Sequence, residues 1–191
     1  MQKLLSEIRA CEVCSEHLPL GPRPIVAGSQ KSKIILVSQA PGKKAHDHNK
    51  AWDDPSGRKL REWLGVTDEQ FYNPDNFAVL PMGFCFPGKG KTGDLPPRKE
   101  CAPLWHDHFW KELEEVKLIL VIGKFAQDRY LKDQSKRNLT ENVANHHEFL
   151  PKFFPLPHPS PVNRFWMSKN PWFEIDVVPT LQTQVAKILS D

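Results

Sequence analysis

No apolar stretch in this chain approaches the ~20 residues that a membrane-spanning helix requires, so a helical membrane span is excluded. The opening residues, MQKLLSEIRA, carry charge throughout and lack the apolar centre of a secretory signal, so a cytoplasmic location is expected. Internal repeats and low-complexity tails are absent as well. Neither charge sign dominates: 26 basic residues stand against 23 acidic ones, and a net charge of +3 permits an anionic partner without demanding one. Cysteine is sparse, at four, and all four stand in candidate ligand positions with none left over. What is present is the composition of a soluble globular protein, 39% apolar and 26% charged over 191 residues, and a single domain over 1–191 is expected. Proline (18) and tryptophan (6) are abundant and cluster in segments that read as loops.

Four apolar runs read as strands: Ile34 to Val37, Phe77 to Phe86 broken at Pro81, the LILVIG segment near residue 120, and FFPLPH near residue 155. Helical spacing appears over Lys3–Cys14, ending in the cysteine pair, and over DPSGRKLREWLGV, capped by Asp54 or Ser56 and stopped by Gly65. It recurs from Ala102 to Val116, over GKFAQDRYL, and from Pro171 to Leu189. Strands alternating with helices imply an α/β fold, three layers with a central, mainly parallel four-stranded sheet. Ligands of such sheets bind beyond the carboxyl ends of the strands. Three loops leave those ends: QAPGKKAHDHNKAWDDPSG, CFPGKGKTGDLPP and HPSPVNRFW.

In the last loop, Pro155, Pro157, Pro159 and Pro161 fix the backbone around His158 and Ser160, a density of prolines that argues against regular structure over 155–174. Cys11 and Cys14 are spaced as Cys-x2-Cys, and Cys85 and Cys101 lie far downstream with fifteen residues between them. Four thiolates in a chain without secretion signals argue for a metal centre, and they suit zinc or an iron–sulfur cluster equally. Basic residues on the strand-end loops, Lys43, Lys44, Lys89, Lys91, Arg98, Arg164 and Lys169, suit contacts with phosphate.

Taken together, the early Cys-x2-Cys, the QAPG turn after the first strand, the mid-chain cysteines and the HPSP loop resemble the uracil-DNA glycosylase superfamily. The resemblance runs from about Leu4 to Leu189 and is greatest to the iron–sulfur, family 4 branch. It implies a monomeric enzyme that flips a deaminated base, uracil above all, out of DNA and hydrolyses its N-glycosidic bond. It assigns Cys11, Cys14, Cys85 and Cys101 to a [4Fe–4S] cluster, with zinc as the alternative. Gln39, Ala40, Pro41 and Gly42 then line the base pocket together with Ser160, and Trp52 stacks on the flipped base. His158 becomes the donor to the departing base, and Val162, Asn163 and Arg164 enter the vacated stack.

Two departures from the family pattern are visible. Gln39 stands where glutamate is usual, and Ala40 stands where a related branch has its catalytic aspartate, which leaves Asp54 as the candidate for positioning water, with Asp47 and Asp53 as neighbours and a helix cap as the other role for Asp54. The segment after Cys85 has no asparagine to read the base edge. Such a pocket reads the pyrimidine by backbone groups, accepts another lesion, or belongs to a DNA-binding homologue without catalysis.

Overall fold

The computed structural model describes residues 1–134 and 137–190. Its regular elements in chain order are α1 (Gln2–Arg9), β1 (Ile34–Val37), α2 (Lys43–His48), α3 (Pro55–Leu64), α4 (Asp68–Tyr72), β2 (Phe77–Val79), α5 (Cys101–Lys111), β3 (Leu118–Ile122), α6 (Lys124–Tyr130), α7 (Leu139–Ala144), β4 (Phe153–Leu156), α8 (Arg164–Lys169) and α9 (Val178–Ser190). All four strands are parallel, in the order β2-β1-β3-β4, with Ile35 facing Ala78 on one side and Ile119 on the other, and Leu120 facing Phe154.

The two-residue period of each strand divides its side chains between two cores. Ile34, Leu36, Leu120 and Phe154 pack under α3 and α9, against Leu60, Trp63, Leu181 and Val185. Ile35, Val37, Val121 and Phe153 pack on the other face, against Leu5 and Ile8 of α1, Phe109 of α5 and Ala126 of α6. Every strand residue is buried, which is why the runs read as continuous apolar stretches with no alternation. The outcome is the expected three-layer α/β/α arrangement around a parallel sheet.

Several boundaries differ from expectation. Helix α1 stops at Arg9, short of the cysteine pair: Cys11 N–H bonds back three residues to Ile8 O (3.1 Å), a tightening that ends the helix and puts Cys11 and Cys14 on turns. Helix α5 ends at Lys111, where Glu112 and Leu113 close on i−3 carbonyls and Glu114 N–H leaves to pair with Gln30 O (2.9 Å). The final helix opens with a wide π turn over Phe173–Val177, and α9 carries Pro179, which has no N–H to give. Strand β2 is shorter than its apolar run, ending at Val79. Regular structure also appears where loops were expected, α2 after the QAPG turn and α8 within 155–174, because the last proline of that series, Pro161, lies in the short 3-10 turn Pro161–Asn163 that precedes α8.

The backbone ladder continues past the strand ends. Leu80 N–H bonds to Leu36 O (3.0 Å), Met82 N–H to Ser38 O (2.7 Å) and Gly83 N–H to Gln39 O (2.8 Å). The turn after β1 is therefore pinned to the segment that leads to Cys85.

A candidate active-site cleft

Beyond the carboxyl ends of β1, β2 and β4 lies a cleft of about 260 Å³. Gln39, Ala40, Pro41 and Gly42 form one wall, Trp52, Asp54 and Ser56 a second, and His158, Ser160, Val162 and Asn163 a third, with Lys89 and Asp94 facing in from the loop after β2. Segments more than a hundred residues apart in the chain thus meet at one point.

His158 lies two residues beyond β4 and packs against Gly123, which joins β3 to α6; a Cβ at Gly123 would lie 3.5 Å from the His158 Cβ, and its φ of +81° is one that glycine adopts without penalty. Asn163 Nδ2 donates to His158 O (2.7 Å), and Ser160 N–H donates to His158 Nδ1 (3.2 Å). With Nδ1 accepting, the neutral ring carries its proton on Nε2. Burial pushes the imidazole down to about 4, against the upward pull of the Asp54 and Asp94 carboxylates, so the ring is uncharged at neutral pH. The cleft thus holds a neutral donor, fixed by backbone contacts.

Asp54 has two faces. Its Oδ1 accepts from Gly57 N–H (2.8 Å), capping α3, with Pro55 following at the first helical position. Its Oδ2 points toward Gly42: a Cβ there would sit 3.8 Å from it, and 3.5 Å from Oδ2 of Asp94 on the other side. The cap and the cleft-facing carboxylate are one residue. Asp47 and Asp53 are absent from the lining; Lys43 holds the first (2.6 Å) and His48 the second (2.7 Å), and these contacts lower both carboxylates.

Trp52 takes a left-handed backbone conformation (φ 58°), which costs a non-glycine residue about 1–3 kcal/mol. Two contacts impose it. Arg61 Nη1 donates to Trp52 O (3.3 Å), and that oxygen occupies the space where a Cβ of Gly57 would lie, 1.7 Å away. The indole is 8% exposed, belongs mostly to the α3–α9 core, and approaches the His158 ring with centroids 5.8 Å apart.

The cations separate into groups. Lys89 lines the cleft with Nζ 2.7 Å from Asp94 Oδ1, Lys43 is paired with Asp47, and Lys44 and Lys91 are exposed. Arg164, on α8, lies over the exposed Phe165 ring (5.1 Å) in a shallower groove behind His158. Arg98, expected at phosphate, is instead bound to Glu100 (2.6 Å) and Cys14, beside the cysteines. Val162 is 69% exposed at the cleft mouth.

Cys11, Cys14, Cys85 and Cys101 are all free thiols, the last three buried. Each of the other three acts electrostatically on Cys85, so the four sulfurs share one corner. Burial pushes Cys85 up to about 12 and Cys101 up to about 11, while Arg23 N–H and Phe84 N–H point at these two sulfurs. Among the described residues no three His, Cys, Asp or Glu side chains are grouped to hold a metal ion. Buried thiols of this kind ionise when a cation neutralises them, and the backbone N–H groups aimed at Cys85 and Cys101 would stabilise the thiolates so formed.

Sequence reading overlooked Asp94. Gly90 N–H to Gly93 O (2.7 Å) and Leu95 N–H to Gly88 O (2.9 Å) close a tight hairpin that brings Lys89 opposite Asp94. Opposite charges flanking a Gly-rich turn were the available signal. Among the described residues no helix is long and apolar enough to cross a membrane. A sequence profile of the uracil DNA glycosylase superfamily matches residues 25–182.

Proposed function

The chain belongs to the uracil DNA glycosylase superfamily, and from that membership we propose that it is a DNA N-glycosylase that hydrolyses the bond between deoxyribose and a flipped, deaminated pyrimidine, uracil first. The observation that carries this reading is the convergence of the Ser38–Gly42 turn, Asp54 and the neutral His158 on one cleft at the carboxyl edge of the sheet.

As the C1′–N1 bond breaks, the sugar becomes cationic and the electron pair withdraws into the base, where it collects on O2. The Nε2–H of His158 donates to that oxygen, a contact worth about 2.7–4 kcal/mol because it strengthens as charge develops. Asp54 Oδ2, with the Gln39 amide, orients the water whose oxygen adds to C1′, faces the cationic sugar and accepts the proton that the water sheds. Trp52 and the Ala40–Pro41–Gly42 turn form the flanks of the slot. Val162, exposed at the mouth, fills the gap left in the duplex, and Asn163, Arg164, Lys43, Lys44 and Lys91 hold the phosphates. The protein acts as a monomer.

Cys11, Cys14, Cys85 and Cys101 would hold a [4Fe–4S] cluster, zinc being the alternative. When bound, it ties the N-terminal turn to the loop after β2. Purified protein is expected to show the visible absorption of thiolate-bound iron and to contain iron and acid-labile sulfide; zinc with neither would assign the other occupant.

The direct test is incubation with single- and double-stranded oligonucleotides bearing one uracil, followed by alkali to cut abasic sites. Strand scission at the uracil is expected. DNA binding without scission would favour a non-catalytic homologue, a reading to which Ala40, which provides no carboxylate, lends weight.

A further inference from the structure

We propose that the Lys89–Asp94 ion pair reads the edge of the flipped base, giving the cleft its preference for uracil. This inference rests on the glycosylase reading above. Uracil presents three groups in a row: the O4 acceptor, the N3–H donor and the O2 acceptor. The cleft offers the complement in three side chains: the Lys89 ammonium as donor, the Asp94 carboxylate as acceptor, and the Nε2–H of His158 as donor.

The hairpin that carries the pair has the rigidity such a task requires. It is closed by backbone bonds at both Gly90–Gly93 and Gly88–Leu95. Asp94 Oδ1 is shut away from solvent and accepts no hydrogen bond of good angle, its charge being offset by Lys89 at 2.7 Å. Its Oδ2 faces Gly42, across the turn that lines the slot. With Oδ1 held by Lys89, Oδ2 is the carboxylate oxygen turned to the slot, and it is the acceptor that a base N–H would meet. Cytosine offers the reverse pattern, an amino group opposite the ammonium and a bare N3 opposite the carboxylate, so the same pair repels it.

Two measurements test this, one of catalysis and one of binding. Single-turnover release of uracil by Asp94→Ala and by Lys89→Met is expected to fall roughly tenfold to a hundredfold, the equivalent of one base-edge pair. The double variant Lys89→Met/Asp94→Asn, whose single amide offers both a donor and an acceptor, is expected to recover most of the loss seen in Lys89→Met. Free uracil is expected to shift cleft resonances in protein-detected NMR of the wild type, whereas 3-methyluracil, which lacks the N–H, and cytosine are not. Normal uracil release by Asp94→Ala, or equal binding of uracil and 3-methyluracil, would overturn the proposal while leaving the glycosylase reading intact. An inactive wild type that still binds uracil, and loses it on Asp94→Ala, would overturn the glycosylase reading and sustain this one.

Discussion

His158 and His106 are near twins in their surroundings and opposites in their use. Burial pushes both down to about 4, so both are neutral. In each, Nδ1 is matched to a donor, Ser160 N–H for His158 (3.2 Å) and the Tyr130 hydroxyl for His106 (2.6 Å), leaving the ring proton on Nε2. His106 spends that proton on Pro81 O at 3.0 Å, inside the second core. Among the described residues the Nε2 of His158 has no protein partner, and the ring lines the cleft. A buried histidine whose donor is consumed holds a fold together. One whose donor is kept free and aimed at a cavity is placed for a ligand, and the fold has already met the cost of holding it there.

The largest effect that would break this comparison is on catalysis. His158→Ala is expected to lower uracil release by about 10²–10³-fold, the measured range for losing one positioned donor, with affinity for abasic DNA almost unchanged. His106→Ala is expected to leave the per-molecule rate close to normal and to destabilise by about 2–4 kcal/mol in urea unfolding, since it opens a cavity, removes the donor to Pro81 O and leaves the Tyr130 O–H without its acceptor. Equal effects on rate from the two substitutions would dissolve the distinction.

Acid provides the next contrast. Each ring binds its proton more weakly when folded (about 4) than when unfolded (6.5), so the unfolded chain takes up protons that the folded one refuses. The stability is complete above 6.5 and is lost as pH falls toward 4, by about 2 kcal/mol per histidine between pH 7 and 5. Urea titrations at the two pH values measure it, and His106→Phe is expected to remove the share that belongs to His106, with His158, His46 and His146, all lowered by burial, supplying what remains. The smallest effect on stability belongs to Asp54. Asp54→Asn keeps a good N-cap and is expected to cost a few tenths of a kcal/mol, against ~1 for Asp54→Ala; both remove a charge that raises His158, so an NMR titration of the ring is expected to show a further lowering in each.

The parallel sheet was legible because β1 and β3 are unbroken apolar runs, and the cap at Asp54 and stop at Gly65 because both follow local backbone rules. The meeting of the loops that carry Gln39 and His158 was anticipated from loop order, since strand-end loops of a parallel sheet share one edge; Cys85, at the head of the third of those loops, is instead buried with Cys14 and Leu18. Helix ends were harder. Arg9 and Lys111 close their helices through i−3 tightening and partners far along the chain, which no window of residues reveals. Asp94 escaped for the same reason: its importance comes from a hairpin closure and from Gly42, 52 residues earlier. Trp52 reads as a tryptophan in a polar loop, yet its left-handed backbone depends on Gly57 and Arg61.

The bonds from Met82 and Gly83 to Ser38 and Gln39 make the floor of the cleft and the approach to Cys85 one continuous spine. A substitution that loosens the cysteine corner therefore tugs on the turn that lines the cleft, which is bonded to Gly83 two residues before Cys85, while a substitution in that turn is felt at the sulfurs. The cysteine corner and the cleft wall share one run of backbone, so a change in either is transmitted to the other.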